Sequence, residues 1–461
     1  MCGIFGISNH PEAARLTYLG LYSLQHRGQE AAGIVAVDEQ GVARVHKGSG
    51  LVSDVFNEDV IRAFEGTTAI GHTRYSTAGG SAEVNTQPFL VRYREGTLAI
   101  AHNGNLTNAA ALRRDLISSG SLLQSTADTE ALIHLIARST QTSPEDQIRE
   151  AVSRAEGAFS LLMTVNDVMY ALVDPRGFRP LMLGRVDDAI VAASESCALD
   201  IVGARQVCQL EPGSFVRISR GKVEDLEPLA RLESRRCAFE LVYFSRPDSV
   251  VFGESVNQFR LNLGRRLAEE HPAPGADCVF SVPDSSNAAA LGFSHASGIP
   301  FEHGLIRNHY VGRTFIHPVQ SGRDAKVKIK YNAVREIISG KRVVVVDDSI
   351  VRGTTSRGLV RMIRDAGARE VHFRVASPPI TGPCYYGIDT PTREELIAAT
   401  HSVDEIRRFL DVDSLGYLSL DGMLGASAMS PERFCSACWS GRYPTEIPAE
   451  ATTSGFVAET A

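Results

Sequence analysis

The first residue able to do chemistry is Cys2. Its small side chain permits removal of Met1, and that removal would set a thiol beside a free α-amine. Such an amine titrates near ~7.7–8.0, so it can take the thiol proton at neutral pH without a histidine partner. The chemistry this predicts is acyl transfer. Three segments rich in hydrogen-bond donors and glycine would serve it: residues 24–30 (LQHRGQE), 71–77 (GHTRYST) and 101–106 (AHNGNL). Arg74 suits a bidentate grip on a carboxylate. The Asn103 side chain with the Gly104 N–H makes a donor pair for a tetrahedral oxyanion, and Asp128 offers negative charge to an ammonium.

A second constellation lies at residues 343–356 (VVVVDDSIVRGTTS). Four valines predict a buried strand, and Asp347 and Asp348 end it. A loop with Ser349, Gly353, Thr354 and Thr355 then opens a helix. Backbone N–H groups and hydroxyls there can surround a phosphate, while the carboxylates can bind ribose hydroxyls or act through Mg²⁺. The P-loop pattern is absent. Residues 281–286 (SVPDSS) follow another expected strand, and Arg323, Lys326, Lys328 and Lys330 form a basic stretch. Cys435 and Cys438, beside Trp439, are compatible with a redox pair, half of a zinc site or part of a cluster; the pair alone does not distinguish these.

The elements that must position these groups fall into two regimes. Up to about Val216, short apolar runs separated by turn signals predict a sheet-rich unit (residues 4–7, 33–37, 89–91, 98–101, 159–165, 169–173 and 189–193). Helical periodicity interrupts it at Leu16, Leu19 and Ser23, and again at residues 130–136 after the capping-type pair Asp128-Thr129. Beyond residues 232–236 strands alternate with helices, the pattern of βαβ units around a mostly parallel sheet. One helix there turns Leu359, Val360, Met362 and Ile363 inward and ends at Gly367. From Tyr443 onward the chain has three Glu, no Lys or Arg, and most of it is expected to be disordered.

Composition narrows the function. The chain has 461 residues, 43% hydrophobic and 22% charged, with a net charge of −7. That leaves no global footprint for nucleic acid. The longest charge-free stretches, residues 96–112 and 285–301, are too short and too polar for a bilayer span, so no membrane partner is expected. The N-terminus lacks the pattern of a secretory signal, and eight cysteines are too few for a disulfide scaffold. A reducing, cytoplasmic setting is expected. Cys197, Cys208 and Cys278 lie in apolar surroundings and read as core.

Cys2-Gly3-Ile4 together with residues 25–30, 72–77 and 102–105 resembles the glutaminase domain of class II glutamine amidotransferases. The resemblance implies an N-terminal-nucleophile fold, an αββα sandwich of two sheets between helical layers. It implies Cys2 as the nucleophile on the glutamine amide and Asn103 and Gly104 as the oxyanion hole. Arg74 and Asp128 would hold the α-carboxylate and α-amine, with Arg27 and Tyr75 shaping the pocket. Residues 343–356 and 281–286 are similar to the phosphoribosyl-pyrophosphate signature and pyrophosphate loop of type I phosphoribosyltransferases. That resemblance implies Asp284, Ser285, Asp347, Asp348, Ser349, Gly353, Thr354 and Thr355 as phosphoribosyl-pyrophosphate contacts. Ser285, Asp347 and Asp348 would lie near Mg²⁺, and Lys328 and Lys330 would belong to a mobile basic loop closing over the site.

The two joined in one chain, an α/β and α+β two-domain arrangement, resemble the amidophosphoribosyltransferase family. Residues 174–181, 193–198, 243–249 and 310–315 support this. The expected boundaries are 2–235 for the glutaminase domain, 236–442 for the phosphoribosyltransferase domain with its cysteine segment, and 443–461 for a disordered tail. The resemblance implies synthesis of 5-phosphoribosylamine, glutamate and pyrophosphate from phosphoribosyl pyrophosphate, glutamine and water, the first committed step of purine synthesis. It further implies feedback by purine nucleotides and a homotetramer. Cys237, Cys384, Cys435 and Cys438 match the 4Fe-4S ligands of one branch, with zinc the alternative. The chain departs from the family pattern at Arg307, His309 and Phe252-Gly253.

Overall fold

The computed structural model describes residues 1–75, 83–309, 330–390 and 392–448. The expected strands and helices of the first half are present, and they assemble into two antiparallel sheets. The seven-stranded sheet runs, in spatial order, Arg205–Gln209, Met182–Val186, Ala189–Ala193, Gly3–Ser8, Thr68–Arg74, Ala31–Val37 and Ala43–Ser49. The six-stranded sheet runs Lys222–Asp225, Phe215–Ser219, Val168–Val173, Gly157–Val165, Gly96–Leu106 and Phe89–Tyr93.

Alternation along each strand assigns its faces. Ile4 and Ile70 point between the sheets, against Ala99, Leu162 and Met169. Phe5 and Ile7 point outward beneath the helix Ala13–Ser23. The outer face of the second sheet, with Leu98, Ile100 and Leu161, is covered by Leu112, Leu132, Ile136 and Ile148 from three helices, Ala109–Ser118, Thr129–Arg138 and Pro144–Ser153. The result is an αββα sandwich. Cys2 lies just before one central strand, and Asn103 and Gly104 lie near the end of another in the facing sheet.

The second half builds a four-stranded parallel sheet, ordered Cys278–Ser281, Arg342–Asp347, Glu370–Val375 and Ser414–Tyr417. Helices cover both of its faces. Val344 and Val346 pack on one side with Leu263, Ala289 and Phe293, and Val343 and Val345 on the other with Leu359, Val360 and Ile363. Two buried faces account for the uninterrupted valines, which a half-exposed strand would not tolerate. Both polar loops noted in the sequence emerge at the carboxyl ends of these strands, where ligands bind in open α/β sheets.

Two readings need correction. Cys208 is exposed, because the strand that carries it is the outer edge of the seven-stranded sheet. The tail packs over its first residues: the Tyr443 hydroxyl donates to the Pro383 carbonyl at 2.7 Å, and the Thr445 N–H donates to the Tyr386 hydroxyl at 3.1 Å. Residues 449–461 lie outside the described residues. No described helix is long and apolar enough to cross a membrane.

Candidate active sites

The first site is a pocket lined by Cys2, His72, Arg74, Tyr75, Asn85, Gln87, His102, Gly104, Ala127 and Asp128. The Cys2 backbone N–H donates to Asn103 Oδ1 at 3.3 Å. That bond turns the other end of the amide away, and Asn103 Nδ2 is buried with no hydrogen-bond partner among the described residues. An unpaired buried donor carries a desolvation cost of about 1–3 kcal/mol unless a ligand supplies the acceptor. Gly104 is fixed as glycine by space, because a Cβ there would sit 2.0 Å from the Ala158 carbonyl oxygen.

Asp128 caps the helix Thr129–Arg138 as the sequence suggested, its Oδ1 accepting from the Thr129 N–H at 2.7 Å. Its Oδ2 accepts from the Leu106 N–H at 2.9 Å, and His102 Nδ1 lies 3.5 Å from Oδ1. Burial alone would raise the Asp128 pKa, but His102 and these donors outweigh it and hold the group ionised. Its oxygens retain acceptor capacity for an ammonium.

Arg27 is placed differently from the expectation. Its guanidinium is fully buried outside the pocket lining, and four of its five N–H groups are committed to partners other than Met1. Nε donates to the Cys2 carbonyl at 3.0 Å, Nη1 to Glu195 at 2.5 Å and Glu240 at 3.0 Å, and Nη2 to Glu240 at 2.8 Å and toward Met1 Sδ at 3.9 Å. Arg27 therefore holds the nucleophile's backbone from behind. Glu240 and Arg179, which also donates to Glu240 at 3.2 Å, complete a buried network that no motif marked as paired. His72, His102, Asn85 and Gln87 were likewise missed as pocket residues. The histidines stood inside quoted segments, but nothing in their spacing shows which way they point.

The second site gathers the expected hydroxyls around the paired carboxylates. The Ser285 hydroxyl donates to Asp348 Oδ2 at 2.5 Å, the Ser349 hydroxyl to Oδ1 at 2.6 Å, and the Ser286 hydroxyl, not singled out from sequence, reaches Asp347 and Asp348 at 3.3 Å. Burial and the charge of Asp348 push the Asp347 pKa well above the carboxylate range. Gly353, at φ +72°, turns the chain into the helix Thr354–Asp365, whose first residues are Thr354 and Thr355. Asp284 is paired with Arg307 at 2.8 Å. Lys330 lies with its Nζ 5.2 Å from the Tyr331 ring centre, and Lys328 falls outside the described residues, as do residues 310–315.

The four expected cluster cysteines converge. Cys237 and Cys435 are register partners on two short parallel strands, Arg236–Cys237 and Phe434–Cys435. Cys237, Cys435 and Cys438 are buried and Cys384 half-buried. Burial pushes the Cys237 thiol up to about 11 despite the nearby Arg179 charge. Among the described residues no three His, Cys, Asp or Glu side chains come close enough to hold a single metal ion.

Comparison with known proteins agrees with these geometries. Residues 72–200 match the model of a glutamine amidotransferase domain. The chain is 49% identical over 451 residues to the amidophosphoribosyltransferase of Bacillus subtilis, covering 97% of this chain and 94% of that protein. It is 47% identical to that of Archaeoglobus fulgidus, covering 98% and 99%. Its fold is similar to that of the glutamine phosphoribosylpyrophosphate amidotransferase from B. subtilis solved in complex with ADP and GMP, with a TM-score of 0.92, 48% identity and coverage of 98% and 100%. A solved allosteric regulatory enzyme of purine biosynthesis matches with a TM-score of 0.93, 49% identity and coverage of 98% and 97%. With both sites in one chain and relatives matched over nearly their whole length, the chain belongs to the amidophosphoribosyltransferase family.

Proposed function

We propose that this chain converts phosphoribosyl pyrophosphate, glutamine and water into 5-phosphoribosylamine, glutamate and pyrophosphate, the first committed step of purine synthesis. Residues 2–235 would perform the glutaminase half-reaction and residues 236–442 the phosphoribosyl transfer. The observation that carries the reading is the buried, unpartnered Asn103 Nδ2 beside Cys2.

With Met1 removed, the Cys2 amine takes the thiol proton and the sulfur attacks the amide carbon. The carbonyl oxygen becomes an oxyanion, met by Asn103 Nδ2 and the Gly104 N–H. The Cys2 ammonium returns its proton to the amide nitrogen, ammonia leaves as the tetrahedral centre collapses to a thioester, and water hydrolyses that to glutamate and the free thiol. Arg74 and Asp128 hold the amino-acid end, and Tyr75, whose carbonyl accepts from the Cys2 thiol at 3.7 Å, closes the pocket beside it. At the second site the ammonia displaces pyrophosphate from the ribose carbon while the hydroxyls of Ser349, Thr354 and Thr355 and the helix N-terminus hold the 5-phosphate. Asp284, Lys328 and Lys330 belong to the same proposed set of phosphoribosyl-pyrophosphate contacts.

The two buried carboxylates with Ser285 suit a divalent cation, and Mg²⁺ bound there would stabilise the departing pyrophosphate. Purine nucleotides as feedback inhibitors, a tetramer and a cytoplasmic location follow from the same family reading. The test is pyrophosphate release from phosphoribosyl pyrophosphate and Mg²⁺. Wild type is expected to use glutamine or ammonia, and Cys2→Ala ammonia alone. Release by neither protein with either donor overturns the assignment.

On the family resemblance we read the cysteine group as the ligand set of a 4Fe-4S cluster, with zinc the alternative. Cys237 and Cys435 are register partners, Cys438 lies within electrostatic reach of Cys384, Cys237 and Cys435, and Arg179 offsets thiolate charge. Such a cluster would tie the C-terminal cysteines to the strand at Cys237. Anaerobically purified protein should contain about four iron and four acid-labile sulfide per chain, lost in Cys384→Ser. Zinc without sulfide would overturn it.

A further inference from the structure

Next to the oxyanion hole, a segment from the far end of the chain leans on the glutaminase sheet. Residues 384–387 (CYYG) cross the end of the strand Gly96–Leu106. The Asn105 side-chain amide donates to the Tyr385 carbonyl at 2.9 Å. Gly387 presses on the Gly104 peptide: at its φ of +103°, a Cβ would sit 2.8 Å from the Gly104 oxygen and 2.9 Å from its carbonyl carbon. Arg179 fixes the residue between them, with Nε and Nη2 donating to the Tyr386 carbonyl at 3.1 and 2.6 Å. The carbonyl of Arg179 in turn accepts from the hydroxyl of Ser160, the register partner of Asn103. The Tyr386 ring stacks on Phe178 at 4.4 Å, and its hydroxyl lies 2.9 Å from Thr445 Oγ1. Tyr385, Tyr386 and Gly387 are thus anchored, and two of the five contacts fall on the residues that flank or form the oxyanion donor pair.

We infer that residues 384–387 are a strap that sets the position of the oxyanion hole, with Asn105 and Gly387 as positioning residues for the glutaminase half-reaction. This rests on the glutaminase reading of Cys2. Oxyanion donors act only when placed where the charge develops, and a shift of about 1 Å in such a group can cost on the order of 100-fold in rate. Gly387 packs on the carbonyl side of Gly104, one Cα away from the Gly104 N–H that would meet the oxyanion; Gly104 has no side chain to fix that N–H, so the Gly387 backbone supplies the packing that a Cβ would. Ground-state glutamine is held elsewhere, by Arg74 and Asp128. The strap therefore acts on the tetrahedral state and leaves substrate binding alone.

The experiment uses the full chain, anaerobically purified, as Asn105→Ala, Gly387→Ala and the double variant. Each single variant is expected to lower kcat for glutamine hydrolysis about tenfold or more while KM for glutamine moves less than about twofold. An aldehyde analogue of glutamine reports the same state directly, because the Cys2 thiol adds across its carbonyl to give a tetrahedral thiohemiacetal whose oxygen occupies the hole. Its inhibition constant should rise in parallel with the fall in kcat. Ammonia-dependent pyrophosphate release should stay within about twofold, and the double variant should resemble the worse single one because both changes break one contact surface. Unchanged kcat and aldehyde affinity would overturn the inference, and so would a parallel loss of the ammonia-dependent reaction, which would mark a general loss of folding. If wild type itself fails to hydrolyse glutamine, the glutaminase reading fails instead.

Discussion

His72 does work at the level of a single side chain. Its Nε2 lies 3.2 Å from the His102 carbonyl, which can only accept, so Nε2 carries the proton. Burial first, then the charge of Arg74, lower its pKa to about 3, and Nδ1 is buried without a partner among the described residues. The neutral ring thus ties the strand Thr68–Arg74, paired with the strand that follows Cys2, to the peptide just before Asn103 in the other sheet. Replacing it by leucine should lower glutamine hydrolysis about 10–100-fold, on the scale of a misplaced oxyanion donor, with the ammonia-dependent reaction intact. His72→Gln, whose side-chain N–H reaches a similar point, should recover most of that loss. Because a group titrating near 3 is deprotonated throughout neutral pH, His72 adds no inflection to the pH–rate profile between about 5 and 9. A wild-type inflection near 6.5 that vanishes in His72→Gln would refute this assignment of its proton.

At the scale of elements, local pattern carried far. Short apolar runs located seven of the thirteen described sandwich strands, though not Thr68–Arg74, four consecutive valines marked a strand buried on two faces, and Asp128 and Gly367 marked helix ends that the structure keeps. Those signals are legible because they depend on neighbours one to four residues away. What escaped depends on pairing across long separations. Glu240 sits in the π-helical turn Glu240–Phe244 with no motif around it, and its meaning appears only when Arg27 and Arg179 arrive from the other half of the chain. Arg27 lay in a pocket-like segment, but chain direction alone could not show that its guanidinium turns behind Cys2. Cys208 failed for the complementary reason: apolar neighbours suggest a strand, not whether that strand is central or an edge.

Over the whole molecule, the two halves are joined by charge as well as by apolar packing. Arg27 and Arg179 meet Glu195 and Glu240 in a fully buried group of two positive and two negative side chains, with His26 2.7 Å from Glu195 at its margin. Burial alone would raise both carboxyls, but His26 and Arg27 at Glu195, and Arg27 and Arg179 at Glu240, outweigh it and lower both, Glu195 far below the usual range. The balance is what makes the group tolerable, since an unmatched buried charge costs about 3–5 kcal/mol. Glu240→Gln removes one negative charge and should lower stability in chemical denaturation by about that amount. Glu240→Gln combined with Arg179→Met restores the balance and should recover part of it. The sign of the pH effect follows from the depressed folded-state pKa values. The network's stabilisation is present above the unfolded carboxylate value, about 4.3, and is lost as pH falls through the lower folded values. Wild type should therefore hold its denaturation midpoint from about pH 8 to 5.5 and lose it below about pH 5, and Glu240→Gln should lose less over the same acid range because one linked carboxyl is gone. Equal acid slopes in the two proteins would show that Glu240 is not ionised in the folded chain, and the charge-balanced junction would have to be abandoned.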